Sequence, residues 1–254
     1  MSFIQPGRHC LLRAFVLIAA LAVGGCSGVQ SALDPAGPAS AAIAQTWWLM
    51  ATGAGLILTL VMLLLWYTLS RRTQRSGRAP GVRLIFMGGL LLPAFTLISL
   101  LAYGTVVSRK VSGMEQPVEL VVAVVGRRFH WDFHYLGAEG ATPLAITTDV
   151  LVLPRDRNVE FRVTSMDVIH SFWIPRLGGK IDAIPGRVNQ LRLRADQAGP
   201  ISGQCAEFCG LEHAHMRFDV LVIPPAQFDD WLAAGGIQPP AQARAEVPRP
   251  EVRR

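Results

Sequence analysis

Four side chains with soft or borderline metal-binding atoms lie close together near the end of the chain. The segment GQCAEFCGLEHAHM contains Cys205, Cys209, His213 and Met216 in the spacing C-x3-C-x3-H-x2-M. Thiolate and thioether groups beside imidazole are ligands that select copper over hard cations. A single cysteine would suit a mononuclear copper site, whereas two thiolates can bridge two copper ions. The segment therefore predicts a binuclear copper centre.

A bridged pair of copper ions needs a second imidazole, which must come from elsewhere in the chain. His170 ends VEFRVTSMDVIH, an alternating apolar segment typical of a strand. A cupredoxin-type barrel takes its first histidine from such a position, so His170 is the best remaining donor. His215 lies near the loop ligands, but the spacing favours His213. We expect His215 to be a surface residue or a neighbour of the ligands.

Two other interpretations of the cysteines remain open at this point. Cys205 and Cys209 could form a disulfide, because the chain has the features of an exported protein. A zinc site is the other possibility, although zinc loops usually pair C-x2-4-C with H-x3-5-H.

Three motifs carry a resemblance to a known family. HSFWIP, LGGKIDAIPGRVNQ and GQCAEFCGLEHAHM closely resemble subunit II of the haem–copper cytochrome c oxidases, and the wider resemblance covers residues 30–232. In that family the binuclear copper centre is called CuA. The resemblance implies two terminal ligands (His170 and His213), two bridging ligands (Cys205 and Cys209) and one weak axial ligand (Met216).

The resemblance also implies a second metal and several partners. The backbone carbonyl of Glu207 would be the other weak copper ligand, and its side chain would bind a magnesium or manganese ion shared with subunit I. Lys180 and Asp182 match the family and would lie against subunit I. The implied function is to accept electrons from cytochrome c and pass them to the haem of subunit I. There oxygen is reduced to water with proton pumping, and subunit III is a further expected partner.

The chain departs from the family at two places. Many relatives have W-Y-W where this chain has Phe129-His130-Trp131, and the first tryptophan is the one through which electrons enter. Phe129 and Trp131 are therefore both candidates for that role. Many relatives also carry an acidic residue before the second membrane helix, whereas this chain has Arg83 there. No proton-uptake residue is assigned.

The first residues predict export. Residues 1–25 have a basic start and a short apolar core, as in a secretory signal peptide. The following Cys26 ends VGGC, which resembles a bacterial lipobox, so we expect Cys26 to carry lipid. An uncleaved or ordinarily cleaved leader is the alternative. Residues 26–46 then form a linker rich in small residues.

Two uncharged apolar runs, residues 47–69 and 84–103, are long enough to cross the ~30 Å hydrocarbon core as helices. The loop between them, residues 70–83, carries five arginines and no acid. By the positive-inside rule this loop is cytoplasmic. The predicted protein is a two-helix hairpin in the bacterial inner membrane, with its N-terminus and copper domain in the periplasm.

Residues 115–226 contain alternating segments separated by Gly and Pro and predict an all-β cupredoxin-like barrel. A short helix is expected over 227–237 and a disordered tail over 238–254. The chain has a net charge of +6, but residues 115–226 hold eleven basic and thirteen acidic residues, a balance of −2. A mildly acidic domain suits a basic donor such as cytochrome c. The predicted membrane topology excludes nucleic acid as a partner.

Two other functions compete with the oxidase subunit. One is a stand-alone copper module, either an electron-transfer domain or a copper chaperone. The other is subunit II of a quinol oxidase, which shares the architecture but lacks the copper site. The complete set of candidate copper ligands argues against the quinol oxidase.

Overall fold

The computed structural model describes residues 27–70, 81–114, 116–137 and 142–236. The predicted signal peptide, the lipidation candidate Cys26, most of the loop over 70–83 and the tail over 238–254 lie outside these residues.

Two long helical segments form a hairpin before the β domain. Helix α1 spans Pro38–Ser70. The second segment consists of α2 (Val82–Phe86), a π-helical turn (Met87–Leu91) and α3 (Leu92–Ser112). Pro93 follows the π-helical turn and lacks the N–H that an α-helical bond requires, a common cause of such local widening. Both segments are long and apolar enough to cross a membrane.

Helix α1 begins at Pro38 rather than at the first residue of the apolar run, Trp47. The end of the expected linker is therefore helical. The reason is tertiary contact, because Ala39, Ser40 and Ala44 are buried. Small side chains in these first two turns allow the helix to pack closely against the β domain.

The strands of the β domain form two five-stranded sheets. The strands are β1 (Leu120–Arg127), β2 (His130–Leu136), β3 (Pro143–Thr148), β4 (Val150–Pro154), β5 (Asn158–Ser165), β6 (His170–Trp173), β7 (Ile181–Ala183), β8 (Asn189–Arg194), β9 (Gly199–Cys205) and β10 (Arg217–Ile223). The first sheet has the order β3-β2-β1-β5-β8 and the second β4-β10-β9-β6-β7. The predicted fold class, two apolar helices followed by an all-β cupredoxin-like domain, is confirmed.

Aromatic side chains fill the space between the two sheets. Phe172 of β6 stacks on Phe218 of β10, with ring centroids 5.2 Å apart and planes 9° from parallel. Trp131 and Phe161 pack edge-on or tilted against Phe172. Helix α4 (Pro225–Ala233) closes the far end of the core with Phe228 and Trp231.

Residues 28–40, here called the N-terminal segment, are bonded to the β domain far along the sequence. The backbone N–H of Ser202 donates to the carbonyl of Val29, and that of Asp196 donates to Ala36. Buried Ser40 donates its hydroxyl to the carbonyl of Arg176 at 2.6 Å. Gly37 is required here, because a β-carbon would approach the carbonyl oxygen of Arg194 to 2.2 Å.

Candidate metal centre

Three neighbouring strands of the second sheet converge at one end of the domain. His170 is the first residue of β6, Cys205 is the last residue of β9, and Met216 immediately precedes β10. In the register of the sheet, Phe172 lies opposite Cys205. The candidate ligands, although 46 residues apart at their extremes, are therefore brought together by ordinary strand pairing.

The loop from Cys205 to Met216 is closed by backbone hydrogen bonds. The N–H of Cys205 donates to the carbonyl of Met216, and that of Ala206 donates to Ser171, both at 2.9 Å. Gly210 has φ = 137°, a conformation that side chains disfavour. Gly203 is equally constrained, because the ring of Phe218 occupies the place of a β-carbon. The positive φ at Gly210 and the ring of Phe218 against Gly203 therefore explain why glycine occurs on both sides of the cysteine pair.

The donor atoms form two similar halves. The sulfur of Cys205 lies 3.9 Å from Nδ1 of His170 and 3.2 Å from the carbonyl oxygen of Glu207. The sulfur of Cys209 lies 3.6 Å from Nδ1 of His213 and 3.7 Å from the sulfur of Met216. Each sulfur thus has one imidazole and one weaker donor nearby.

The two cysteine sulfurs connect these halves. They are 3.9 Å apart, well beyond the ~2.05 Å of a disulfide bond, and both thiols are free and buried. One donor atom from each of His170, Cys205 and Cys209 lies within 4.8 Å of the others. The donor set is soft and compact and fits a thiolate-bridged copper pair.

The two thiols have different acidities in this structure. Burial raises the pKa of Cys205, but hydrogen bonds to His170 and the backbone outweigh it and lower the pKa overall. The pKa of Cys209 is raised by burial and by the neighbouring charge of Cys205. Two adjacent thiolates repel each other, and a bound cation relieves that repulsion.

Asp167 orients His170. Its Oδ1 lies 2.8 Å from Nε2 of His170, so Nδ1 is the ring nitrogen that faces Cys205. The carboxylate also accepts the backbone N–H groups of Arg128 and Val168. Burial opposes ionisation, but these bonds lower the pKa of Asp167 to about 2. The position of Asp167 three residues before His170 fits either this role or that of a solvated turn residue, and sequence alone does not separate the two.

We expect Asp167→Asn to weaken copper binding by on the order of 10–100-fold, because residues that orient a ligating histidine typically contribute that much. Copper affinity measured by competition with a chelator tests this. Glu212→Gln is the matched control: Glu212 makes the same contact with the exposed His215, at 2.9 Å, but His215 is not directed at the sulfurs. Equal affinities for the two variants would contradict the role of Asp167.

Comparison with known proteins gives the family. Residues 137–223 match the family described as cytochrome c oxidase subunit II, periplasmic domain. The chain is 31% identical over 222 residues to cytochrome c oxidase subunit 2 of Alkalihalophilus pseudofirmus, covering 82% of this chain and 63% of that relative. A probable cytochrome c oxidase subunit 2 of Rickettsia bellii is 36% identical over 132 residues, covering 46% and 49%. The chain belongs to the cytochrome c oxidase subunit II family.

A solved structure is also similar to this subunit II chain. The periplasmic domain of subunit II of cytochrome oxidase from Bradyrhizobium japonicum is 32% identical, with a TM-score of 0.41, and covers 47% of this chain and 95% of its own. The chain spans between about half and two thirds of the length of the curated subunit II relatives described above.

Glu207, Lys180 and Asp182 lie beside the cysteine loop of this family member. The carboxylate of Glu207 is directed away from the sulfurs, with its side chain 47% exposed and 3.7 Å from Nζ of Lys180. Lys180 also donates to the carbonyl of Ala206 at 3.4 Å. Asp182 is on β7, opposite Ser171 of β6. The backbone and the side chain of Glu207 thus face different surroundings.

The two aromatic candidates for electron uptake occupy different environments. Trp131 is fully buried, and its ring centroid is 5.9 Å from that of His170. Phe129 borders a surface cavity beside the cysteine loop, and its ring is so close to Gly210 that a β-carbon there would be only 3.0 Å from it. A donor could touch Phe129 directly, whereas Trp131 could act only from within the core.

Two exposed apolar residues near the site were not identified from the sequence. Phe208 and Leu211 are 76% and 97% exposed, and both line the surface cavity beside Phe129. The sequence did contain a signal for them: Phe208 is an apolar residue between the two cysteines, and Leu211 directly follows Gly210.

Proposed function

We propose that this chain is the electron-accepting subunit of a haem–copper oxidase and that its metal centre is a binuclear copper site. The observation that carries the proposal is the duplicated donor set, in which each of two adjacent sulfurs has its own imidazole. His170 and His213 would be terminal ligands, Cys205 and Cys209 would bridge, and Met216 and the carbonyl of Glu207 would be weak ligands. Such a pair, when bound, shares a one-electron change over two thiolates.

The chain's own contribution is to hold the ligands still. His170 is fully buried and fixed by Asp167, and the ends of the cysteine loop are bonded to each other and to β6. A site that hardly rearranges between oxidation states transfers electrons quickly. The buried ring of Trp131 beside His170 also excludes water from this side of the site.

We further propose that the donor is cytochrome c and that electrons enter beside Phe129. The exposed Phe208 and Leu211 provide an apolar contact there, and the mildly acidic domain suits a basic donor. Electrons would then pass to the haem of subunit I for reduction of oxygen coupled to proton pumping, with subunit III as a further partner. Periplasmic placement of the domain and lipidation of Cys26 belong to the same proposal.

Copper analysis and rapid kinetics of the full-length protein, purified with its native partners, test this function. We expect binuclear copper with a mixed-valence EPR signal and its reduction by cytochrome c. A copper-free protein that oxidises quinol would favour the quinol oxidase, and purification without a haem-bearing subunit would favour a stand-alone copper module. Zinc in place of copper would refute the proposal.

The second metal gives a separate prediction, because the backbone of Glu207 faces Cys205 while its carboxylate faces outward. We propose that this carboxylate binds a magnesium or manganese ion shared with subunit I. Such hard cations prefer oxygen ligands. Glu207→Gln should leave the copper EPR signal unchanged and reduce the manganese signal several-fold. The matched control, Glu212→Gln, should preserve both. Loss of copper with manganese retained would show that the two roles are reversed.

A further inference from the structure

A basic cavity lies where both helices of the hairpin meet the β domain. It has a volume of about 340 Å³ and is bordered by the first turn of α1, the end of α3 and strand β8. The lining includes Ala39 from α1 and three arginines, Arg109, Arg192 and Arg194. The cavity and the metal centre lie near opposite ends of strand β1. Leu120, at the start of β1, pairs with Val159 beside the cavity residue Asn158, whereas Gly126, near the end of β1, lies against the ring of His170.

Arg192 is a fixed wall of this cavity. Its guanidinium donates to Oε2 of Glu160 at 2.9 and 3.0 Å and to the carbonyls of Met114 and Gln116 at 2.8 and 3.3 Å. Glu160 is only 4% exposed and is also bonded to Arg162 at 3.1 Å. Most of the hydrogen-bonding capacity of Arg192 is therefore used to join α3 to the β domain.

The other two arginines have donors to spare. Arg194 uses Nε to bind Asp196 at 2.7 Å, which leaves its two terminal nitrogens. Within the part of the chain that the structure describes, Arg109 makes no ion pair, and it is exposed at the last turns of α3. Two guanidinium groups therefore remain available on two sides of one cavity.

The local charge is positive. Of the described residues that line the cavity, three are arginines and none is acidic. Glu160 binds Arg192 and Asp196 binds Nε of Arg194 from outside this lining, so an anion in the cavity would meet unused guanidinium donors and no carboxylate of the lining. Guanidinium groups pair well with phosphate, since they can donate two parallel hydrogen bonds.

The position of the cavity indicates where a phosphate would come from. Its walls are the ends of the two helices that are long and apolar enough to cross a membrane. Arg109 is the last residue of the second membrane-capable span and follows the apolar run over 84–103 by six residues, about 9 Å of helix, so the cavity lies at the level of the lipid headgroups when the hairpin spans the bilayer. We propose that this cavity binds the phosphate group of an anionic membrane phospholipid, with Arg109 and Arg194 as its ligands.

Lipid binding is measured on the full-length protein in nanodiscs that contain phosphatidylglycerol and phosphatidylethanolamine, by native mass spectrometry. Each of Arg109→Gln and Arg194→Gln should weaken retention of phosphatidylglycerol by about fivefold, the usual contribution of one basic residue near a membrane surface. The matched control is Arg127→Gln: Arg127 is 45% exposed and, like Arg194, is paired with one aspartate, but it is at the other end of β1. It should have no effect.

Three results would overturn the proposal. Equal loss of lipid in Arg127→Gln would show that attraction is general and not due to the cavity. Full protection of the delipidated protein against heat by inorganic phosphate, with none by short-chain phosphatidylglycerol, would assign the site to a soluble anion. Cross-linking from Arg109→Cys to another subunit would show that protein fills the cavity. Because Arg109 is exposed and has no ion pair with any residue that the structure describes, its substitution leaves the fold intact and keeps the test decisive.

Discussion

Full-length protein carrying Cys209→Ser is expected to lose the binuclear copper signal completely and to retain at most about half of its copper. Serine is close to cysteine in size, so the fold is kept, but a hydroxyl is a hard, weakly acidic donor that does not replace a bridging thiolate. Cys209 is 5% exposed and lies within 3.9 Å of the sulfurs of both Cys205 and Met216. EPR and visible spectra with a copper count measure the loss.

His215→Ala is the control for that experiment. His215 belongs to the same loop as His213 but is exposed and paired with Glu212, so its removal should leave copper content and spectrum unchanged. The spacing in the sequence favoured His213 over His215 as the ligand. A normal spectrum in Cys209→Ser, or a lost one in His215→Ala, would contradict the ligand assignment.

Phe172→Ala is expected to lower the free energy of unfolding of the β domain by about 3–5 kcal/mol, the usual cost of removing a buried phenylalanine ring. Phe172 is completely buried and contacts Trp131, Phe161 and Phe218. Two residues before it on the same strand is His170, so the copper site should also become less well ordered. Denaturant unfolding followed by tryptophan fluorescence measures the change.

Phe208→Ala makes the same substitution on the surface. Phe208 is 76% exposed, and surface substitutions usually change stability by no more than about 0.5 kcal/mol. It should leave unfolding unaffected. Similar losses of stability in the two variants would mean that the contacts of Phe172 with Trp131 and Phe161 of the other sheet do not hold the sheets together.

The sequence was most informative where the chemistry is local. Cys205, Cys209, His213 and Met216 lie within one loop, so their types and spacing alone indicated a soft metal site. Strands with regular alternation, such as β1 and β5, were also predictable, since each has one face in the core.

What could not be predicted depends on distant contacts. Strand β9, GPISGQC, has little alternation and small residues, and it is a strand because β6 and β10 flank it. Residues 38–46 have the composition of a linker, yet they are helical because Ala39 and Ser40 are buried at the β domain. The role of Asp167 depends on the turn that brings its carboxylate back to His170.

The N-terminal segment joins the first residues that the structure describes to a strand late in the chain. Gln30 binds Ser202 across 172 positions, and Ser202 in turn donates its backbone N–H to Val29. Because residue 30 is synthesised long before residue 202, these contacts can form only after most of the chain has been synthesised. Contacts between such distant residues slow folding, so completion of this domain is a late event in biogenesis. Cys205 lies only three residues beyond Ser202 on the same strand, so the strand that carries this proposed ligand is anchored from the start of the chain as well as by its neighbouring strands.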